Sequence, residues 1–282
     1  MAVKDCIWFI SGFHKPWEAS AAAGLAGALN AARKTEDMAP LRVYVTGGTG
    51  NFRTAGACSW KSMTFFERVS TVLFRGKVWH LWGDAPFWWR FIRLRARTVH
   101  TSLDEKPSWN GHPTRLFAEQ ADCGESVIRP TFEVRVSVAG DDKEMREKQG
   151  KNKSSAFIIM SEPQDLPEGL NIEAVFPTNS SAASADALFT EDSPSGALLA
   201  ASLTMQGIPV IAAPLLKGRS YLRALLGNDG YIVLQSRDAE GWQAALSSAA
   251  GEPGRFASAS ARRFLNENYP AAAALESVEA LY

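Results

Sequence analysis

Histidine and cysteine are scarce in this 282-residue chain, four and three in number, and their spacing rules out several classes of protein. Cys6, Cys58 and Cys123 lie far apart with no pair at metal or redox spacing, so a zinc finger, a redox dithiol and a disulfide scaffold are excluded and free thiols are expected. His14, His80, His100 and His112 are equally isolated, and no metal is expected. Net charge is missing as well, with 30 Lys and Arg against 30 Asp and Glu. No run approaches the roughly 18 apolar residues of a spanning helix, and Met1 to Phe13 reads as a first strand instead of a signal peptide. The cytoplasm is the expected location. No helix concentrates basic charge among polar base-reading side chains, so nucleic acid is not an expected partner. What remains is a globular composition, 46% hydrophobic and 21% charged, long enough for two ordinary cores.

The neutral total conceals an asymmetry. Through Arg135 there are 18 Lys and Arg against 12 Asp and Glu, a surplus of six positive charges that the remainder of the chain cancels. A basic first half suits an anionic surface or acceptor, or complements the acidic half. Gly140 to Ser155 is almost free of apolar residues and cannot contribute to a core, which marks an interdomain linker at 139–155. The expected domains are therefore 1–138 and 156–282.

In the first domain, Asp5 to Ile10, Leu41 to Val45, Lys77 to Gly83 and Arg97 to Asp104 read as strands, and Ala21 to Ala32 as a helix. A further strand is expected over Glu125 to Thr131. The turn Thr46-Gly47-Gly48-Thr49-Gly50-Asn51-Phe52-Arg53 is similar to a dinucleotide-binding loop, but its third glycine position holds Arg53 and it follows a second strand instead of the first. A flexible glycine-rich loop is the better reading. The segment 86–97, read as a helix, places Trp88, Phe91 and Ile92 on one face and Arg90, Arg93 and Arg97 on another. Aromatic residues beside arginines suit a peripheral contact with a membrane interface; an ordinary packing helix with solvated arginines is the other reading. Eight of nine tryptophans precede residue 110, a distribution that also suits carbohydrate stacking.

The most informative stretch is Asp186 to Pro214, a complete strand, turn, helix and strand. Ala187 to Thr190 is a short apolar run, Ser193 is an N-cap, Pro194 the first helical residue, and Gly207 with Pro209 a stop signal before the buried strand Val210 to Ala213. A helix beginning just past a parallel strand points free amides and the positive end of its dipole into the crevice where such sheets bind ligands. Phosphate is the expected guest there, with Ser195, Gly196 and Ala197 forming the first turn and Ser193 adding a hydroxyl.

This run, followed by Gly230 to Val233, Arg237 to Glu240, Arg262-Arg263-Phe264, Asn266 to Tyr269 and Leu275 to Tyr282, resembles the C-terminal domain of glycosyltransferase family 4, a GT-B type family. The resemblance implies an α/β fold with two Rossmann-like domains facing across a cleft, the terminal helices returning to the first domain. It implies a transferase that moves a hexose from a UDP- or GDP-type nucleotide sugar, with retention, to a glycan or lipid-linked acceptor. No metal or cofactor is needed, and the inner face of a membrane becomes a possible workplace. The nucleotide sugar would lie on the second domain and the acceptor on the first. By position, Gly12, His14 and Glu18 would face the donor, and His80 and Asp104 would lie near the reacting carbon as catalytic groups. The family's pair of donor-binding glutamates falls here on Pro194 and Ser202, which leaves Glu191 and Asp192 as the carboxylates within reach of the same crevice. The family's basic pair is missing at its usual place, and Lys217 and Arg219, flanking Gly218, are the candidates to replace it. A catalytically silent homologue that binds a nucleotide sugar or glycan is the alternative, and an unrelated doubly wound binding module the second.

Overall fold

A computed structural model describes residues 6–11, 18–37, 40–46, 56–102, 111–117, 125–132, 156–162, 164–175, 185–214 and 220–282. The chain divides into two compact α/β units, one formed by Met1–Val136 with Tyr269–Tyr282 and the other by Ser137–Asn268.

Among the described residues the first unit has seven strands: β1 (Cys6–Ser11), β2 (Arg42–Val45), β3 (Cys58–Ser59), β4 (Val78–Gly83), β5 (Arg97–Thr101), β6 (His112–Arg115) and β7 (Ser126–Val127). They lie in the order β3-β2-β1-β4-β5-β6-β7, and every pairing is parallel. A parallel sheet is covered on both faces, so its central strands are apolar without alternation, as Cys6-Ile7-Trp8-Phe9-Ile10 shows. Helix α1 (Glu18–Thr35) follows β1, and α2 (Phe65–Phe74) and α3 (Trp89–Arg93) flank β4. Helix α2 opens with a capping box, in which the Thr64 hydroxyl accepts from the Glu67 amide and the Glu67 carboxylate accepts from the Thr64 amide. The final helix of the chain, α8 (Ala271–Glu279), packs on α1 within this unit.

Trp8, Trp79, Trp82 and Trp89 are fully buried, and Trp60 nearly so. These five are core side chains and the carbohydrate-stacking reading fails for them; Trp88 is half-buried against them, and Trp17 and Trp109 lie outside the described residues. The helix expected over 86–97 forms only from Trp89 to Arg93, between turns.

The second unit holds β8 (Ala156–Met160), β9 (Ile172–Val175), β10 (Ala187–Thr190), β11 (Val210–Ala212) and β12 (Ile232–Val233), again all parallel, in the order β12-β11-β10-β8-β9. Its helices are α4 (Pro194–Thr204), α5 (Tyr221–Leu226), α6 (Ala239–Ala250) and α7 (Glu252–Asn268). Helix α4 starts at Pro194 behind the cap Ser193 as the sequence predicts, and Gly207 adopts a φ of 91° just past its end. It is buried from Ser195 to Ala201, packed against β10, α5 and α7, which explains why its apolar residues form no single stripe. Under the other face, Trp242 of α6 packs against Phe189 of β10, with ring centroids 4.8 Å apart.

Candidate functional site

In an open parallel sheet, ligands collect at the carboxyl edge where the strand order reverses direction. In the second unit that point lies between β8 and β10: one neighbour of β8 is the next strand in sequence, and beyond β10 the sheet grows the other way through β11 and β12. The residues just past these strands are Ser161 and Glu162 after β8, Glu191, Asp192 and Ser193 after β10, and Gln235 to Arg237 beyond β12.

Three of these loops converge on one carboxylate. The Glu191 side chain accepts from the Arg237 guanidinium at 2.6 Å and from the Gln164 amide, so groups 46 and 27 residues away in sequence meet at it. The Arg237 side chain stays 57% exposed and that of Glu191 31%, which leaves the pair reachable by a ligand. The Ser161 hydroxyl, at the end of β8, is buried and has no hydrogen-bonding partner, while its amide is tied to the Phe189 carbonyl at 3.0 Å. Asp192 is committed elsewhere: its carboxylate accepts from the Leu222 amide at 2.9 Å and so fixes the start of α5. Further along the same edge, Asp238 caps α6 and is held below the ordinary carboxylate range, first by the Ser236 hydroxyl and then by the Gly241 amide. The edge therefore offers a cation with spare donors, a carboxylate able to accept from hydroxyl groups, and an unpaired buried hydroxyl.

The start of α4 differs from the open seat the sequence suggests. Pro194 has no amide hydrogen, the Gly196 amide donates to Ser193 Oγ at 3.0 Å, and the Ala197 amide donates to the Ser193 carbonyl at 2.8 Å. Gly196 leaves no open room either. A Cβ there would lie 2.2 Å from Thr190 Oγ1 and 2.8 Å from the Glu191 carbonyl, so the missing side chain is filled by the turn itself. Ser195 is buried in the same turn. The hydroxyl of Ser202, at the second family glutamate position, donates back to the Leu198 carbonyl at 2.9 Å.

The first unit corrects another expectation. His80 lies in the middle of β4 with no exposed surface, and both ring nitrogens are engaged, Nδ1 with Tyr282 Oη at 2.6 Å and Nε2 with Thr101 Oγ1 at 2.7 Å. Its ring stacks on Trp82, with centroids 4.7 Å apart. Burial, and secondarily His100, push its pKa well below the usual imidazole value, so the ring is neutral. The direction of this hydrogen-bonded chain is set at its ends. Trp8 Nε1 can only donate, to Tyr282 Oη at 2.6 Å, and at the far end Thr114 donates to the His100 carbonyl at 3.1 Å. Thr101 must then donate to Thr114 at 2.5 Å, His80 Nε2–H to Thr101, and Tyr282 to His80 Nδ1. His80 is a link in a structural chain and is not a group poised near a reacting carbon. Burial also holds the Tyr282 phenol well above its usual pKa, which keeps the proton it donates.

Asp104, Gly12, His14, Lys217, Gly218 and Arg219 lie outside the described residues, as do the side chain of Glu18, the linker 139–155 and most of the glycine-rich turn after β2. Sequence reasoning singled out Glu191 but missed Arg237 and Gln164 as its partners. Their only signal is that each follows a strand of the same sheet by four residues. Among the described residues no group of three or more His, Cys, Asp or Glu stands ready for a metal, and no helix is long and apolar enough to cross a membrane.

Two all-parallel α/β units, each with a strand-order reversal, define the fold of the GT-B glycosyltransferases. Solved structures with this fold match nearly the whole chain. The complex of Anabaena Alr3699/HepE with UDP-glucose matches 98% of this chain and 99% of its own, with a TM-score of 0.60 and 9% identity. A glycosyltransferase from Rickettsia africae ESF-5 covers 100% of this chain and 98% of its own, with a TM-score of 0.55 and 11% identity. A Listeria monocytogenes protein ascribed UDP-N-acetylglucosamine 2-epimerase activity covers 99% and 96%, with a TM-score of 0.59 and 12% identity. At these identities the likeness shows the fold alone. No protein-family profile and no curated sequence matches the chain.

Proposed function

We propose that the protein is a glycosyltransferase that moves a hexose from a UDP- or GDP-type nucleotide sugar to a glycan or lipid-linked acceptor, with retention at the anomeric carbon. The observation that carries the reading is the Glu191–Arg237–Gln164 cluster at the strand-order reversal of a GT-B fold. In it, Arg237 meets the donor diphosphate, joined by Lys217 and Arg219 from the loop after β11, and Glu191 accepts from the sugar or ribose hydroxyls. Loop carboxylate and loop guanidinium thereby stand in for the missing helix glutamates and basic pair. The complex of HepE with UDP-glucose supports a UDP sugar as the first ligand to try. The acceptor falls to the first unit in this reading.

A second reading has one specific observation behind it. With Pro194 and Ser202 at the family glutamate positions, and the Ser202 hydroxyl turned back on its own helix, the chain fits a silent homologue that binds a nucleotide sugar without turning it over. Calorimetric titration with UDP, GDP and their sugars, followed by a hydrolysis assay of the tightest binder, separates the two. Binding with slow hydrolysis, both lost in Arg237→Ala, supports the transferase. Binding without hydrolysis supports the silent homologue, and no binding of any nucleotide overturns both.

A further inference from the structure

Seven of the eight large hydrophobic side chains that stand exposed on the described surface fall within residues 65–94, on α2, α3 and the turns beside α3. On α2, Phe66, Leu73 and Phe74 sit at spacings of seven and eight, which puts them on one side of the helix, with Phe65 beside them; Phe66 is 82% exposed and Phe74 80%. At α3, Phe87, Arg90, Phe91 and Leu94 form an outward stripe at spacings of three and four, and Leu94 is 85% exposed. The inward sides of the two segments, Val72 from one and Trp88, Trp89 and Ile92 from the other, share a single cluster with β1 and β4. Both stripes therefore ride on the same face of the first sheet and turn away from it. Folding covers one side of each segment and leaves these large apolar side chains on the other.

The charges around these stripes are one-sided. From Trp60 to Arg97 there are eight Lys and Arg against two Asp and Glu, and one of the two, Glu67, is occupied in the α2 capping box. Arg90 lies over the Phe87 ring at 3.8 Å and near the Phe91 ring at 5.5 Å, a cation held against the apolar surface. An excess of fixed positive charge opposes a second copy of the same face, since a two-fold contact would bring like charges together. It favours an anionic surface. Large aromatics and leucine beside arginines match the boundary of a bilayer, where the rings enter the headgroup layer and the guanidinium groups meet lipid phosphates.

We propose that the face formed by α2 and α3 docks on an anionic lipid bilayer, with Phe66, Phe74 and Leu94 inserted and Arg90, Arg93 and Arg95 on the phosphates. This contact extends the 86–97 segment singled out in sequence to a two-element surface and stands independently of the transferase reading. The test is flotation of the full chain with phosphatidylcholine vesicles and with vesicles containing about 30% phosphatidylglycerol, at low salt and at about 0.5 M NaCl. Binding should require phosphatidylglycerol and weaken with salt. The triple variant Phe66→Ser/Phe74→Ser/Leu94→Ser, all at exposed positions, should keep the parent melting temperature and partition at least about tenfold more weakly. Arg90→Glu/Arg93→Glu should remove the preference for phosphatidylglycerol. The proposal is overturned if the parent ignores anionic vesicles or if both variants float like the parent. It is equally overturned if the chain sediments as a dimer that the triple variant dissociates, since a second copy would then cover the face.

Discussion

Replacing Tyr282 with Phe removes one oxygen that serves two buried partners. Trp8 Nε1–H and His80 Nδ1 each lie 2.6 Å from it, one donating to it and the other accepting. The ring remains to fill its place, so no cavity opens. The loss is that of a buried donor and a buried acceptor left unsatisfied at about 1–3 kcal/mol each, or about 2–6 kcal/mol together. That is a large part of the roughly 5–15 kcal/mol that holds a domain folded. Urea unfolding followed by tryptophan fluorescence reports on the first unit almost alone, because eight of the nine tryptophans belong to its sequence and Trp8 and Trp82 border the chain of bonds. With a urea slope of about 2 kcal/mol per molar, the midpoint should fall by about 1–3 M. A midpoint within about 0.3 M of the parent would refute the reasoning. So would a change confined to amide exchange in α8 with the fluorescence transition unmoved, which would mean the tyrosine only pins a fraying helix.

Four further outcomes follow from the same geometry. His80 has a folded-state pKa depressed below the unfolded value of about 6.5, so its stabilising contribution is intact above that pH and is lost as the pH falls below it, at up to about 1.4 kcal/mol per unit; denaturant titrations from pH 7 to 5 should show a steeper decline for the parent than for His80→Gln. Gly196→Ala forces a Cβ to 2.2 Å from Thr190 Oγ1 and should cost about 1–3 kcal/mol despite the better helix propensity of alanine, with Thr190→Ala restoring part of the loss in thermal melts. Glu125→Gln leaves the Arg115 guanidinium buried without its 3.0 Å carboxylate and should destabilise the first unit by about 3–5 kcal/mol, seen as a lowered urea midpoint in tryptophan fluorescence; a change under about 1 kcal/mol would contradict the burial of the pair. Arg237→Ala should weaken UDP-sugar binding by at least about tenfold in calorimetry while leaving the melt unchanged, because its side chain is more than half exposed, and Glu191→Gln should weaken the sugar nucleotide more than the free nucleotide.

The strands were legible in the sequence where a parallel sheet buries both faces, since β1, β10 and β11 are then mainly apolar runs and β4 is apolar around His80. The start of α4 was legible because serine followed by proline has a local cause, satisfied by the cap bond to Gly196. Helix α2 escaped notice for the same reason that it matters. Its largest apolar residues, Phe66, Leu73 and Phe74, face outward, while the side that packs inward carries Thr71 and Val72, so the apolar stripe does not mark the packed face. β6 escaped because His-Pro-Thr-Arg has no strand pattern; its burial comes from neighbours, Thr101 and Glu125 among them. His80 was misplaced by reading a strand end where the register puts a strand centre, opposite Val99 on one side and Trp8 on the other. Its decisive partner, Tyr282, is 202 residues away, a distance at which spacing says nothing.

The second unit turns on a related point about where an anion can be held. A helix start attracts phosphate only through amides that its own turn leaves unused. In α4 the turn has no hydrogen at Pro194, ties Gly196 to Ser193, ties Ala197 to the Ser193 carbonyl, and packs the space at Gly196 against Thr190. A cap good enough to be read from sequence is for that reason a poorer anion seat, because the hydroxyl that marks the helix start also consumes a donor. Positive charge at this edge must then come from a side chain, and the described candidate is Arg237, held in place by Glu191 and still open to solvent. The pair also explains why no spacing motif reveals it. Its members come from loops after different strands and meet only because those strands are parallel and end at the same edge, so the topology places them there and the local sequence does not.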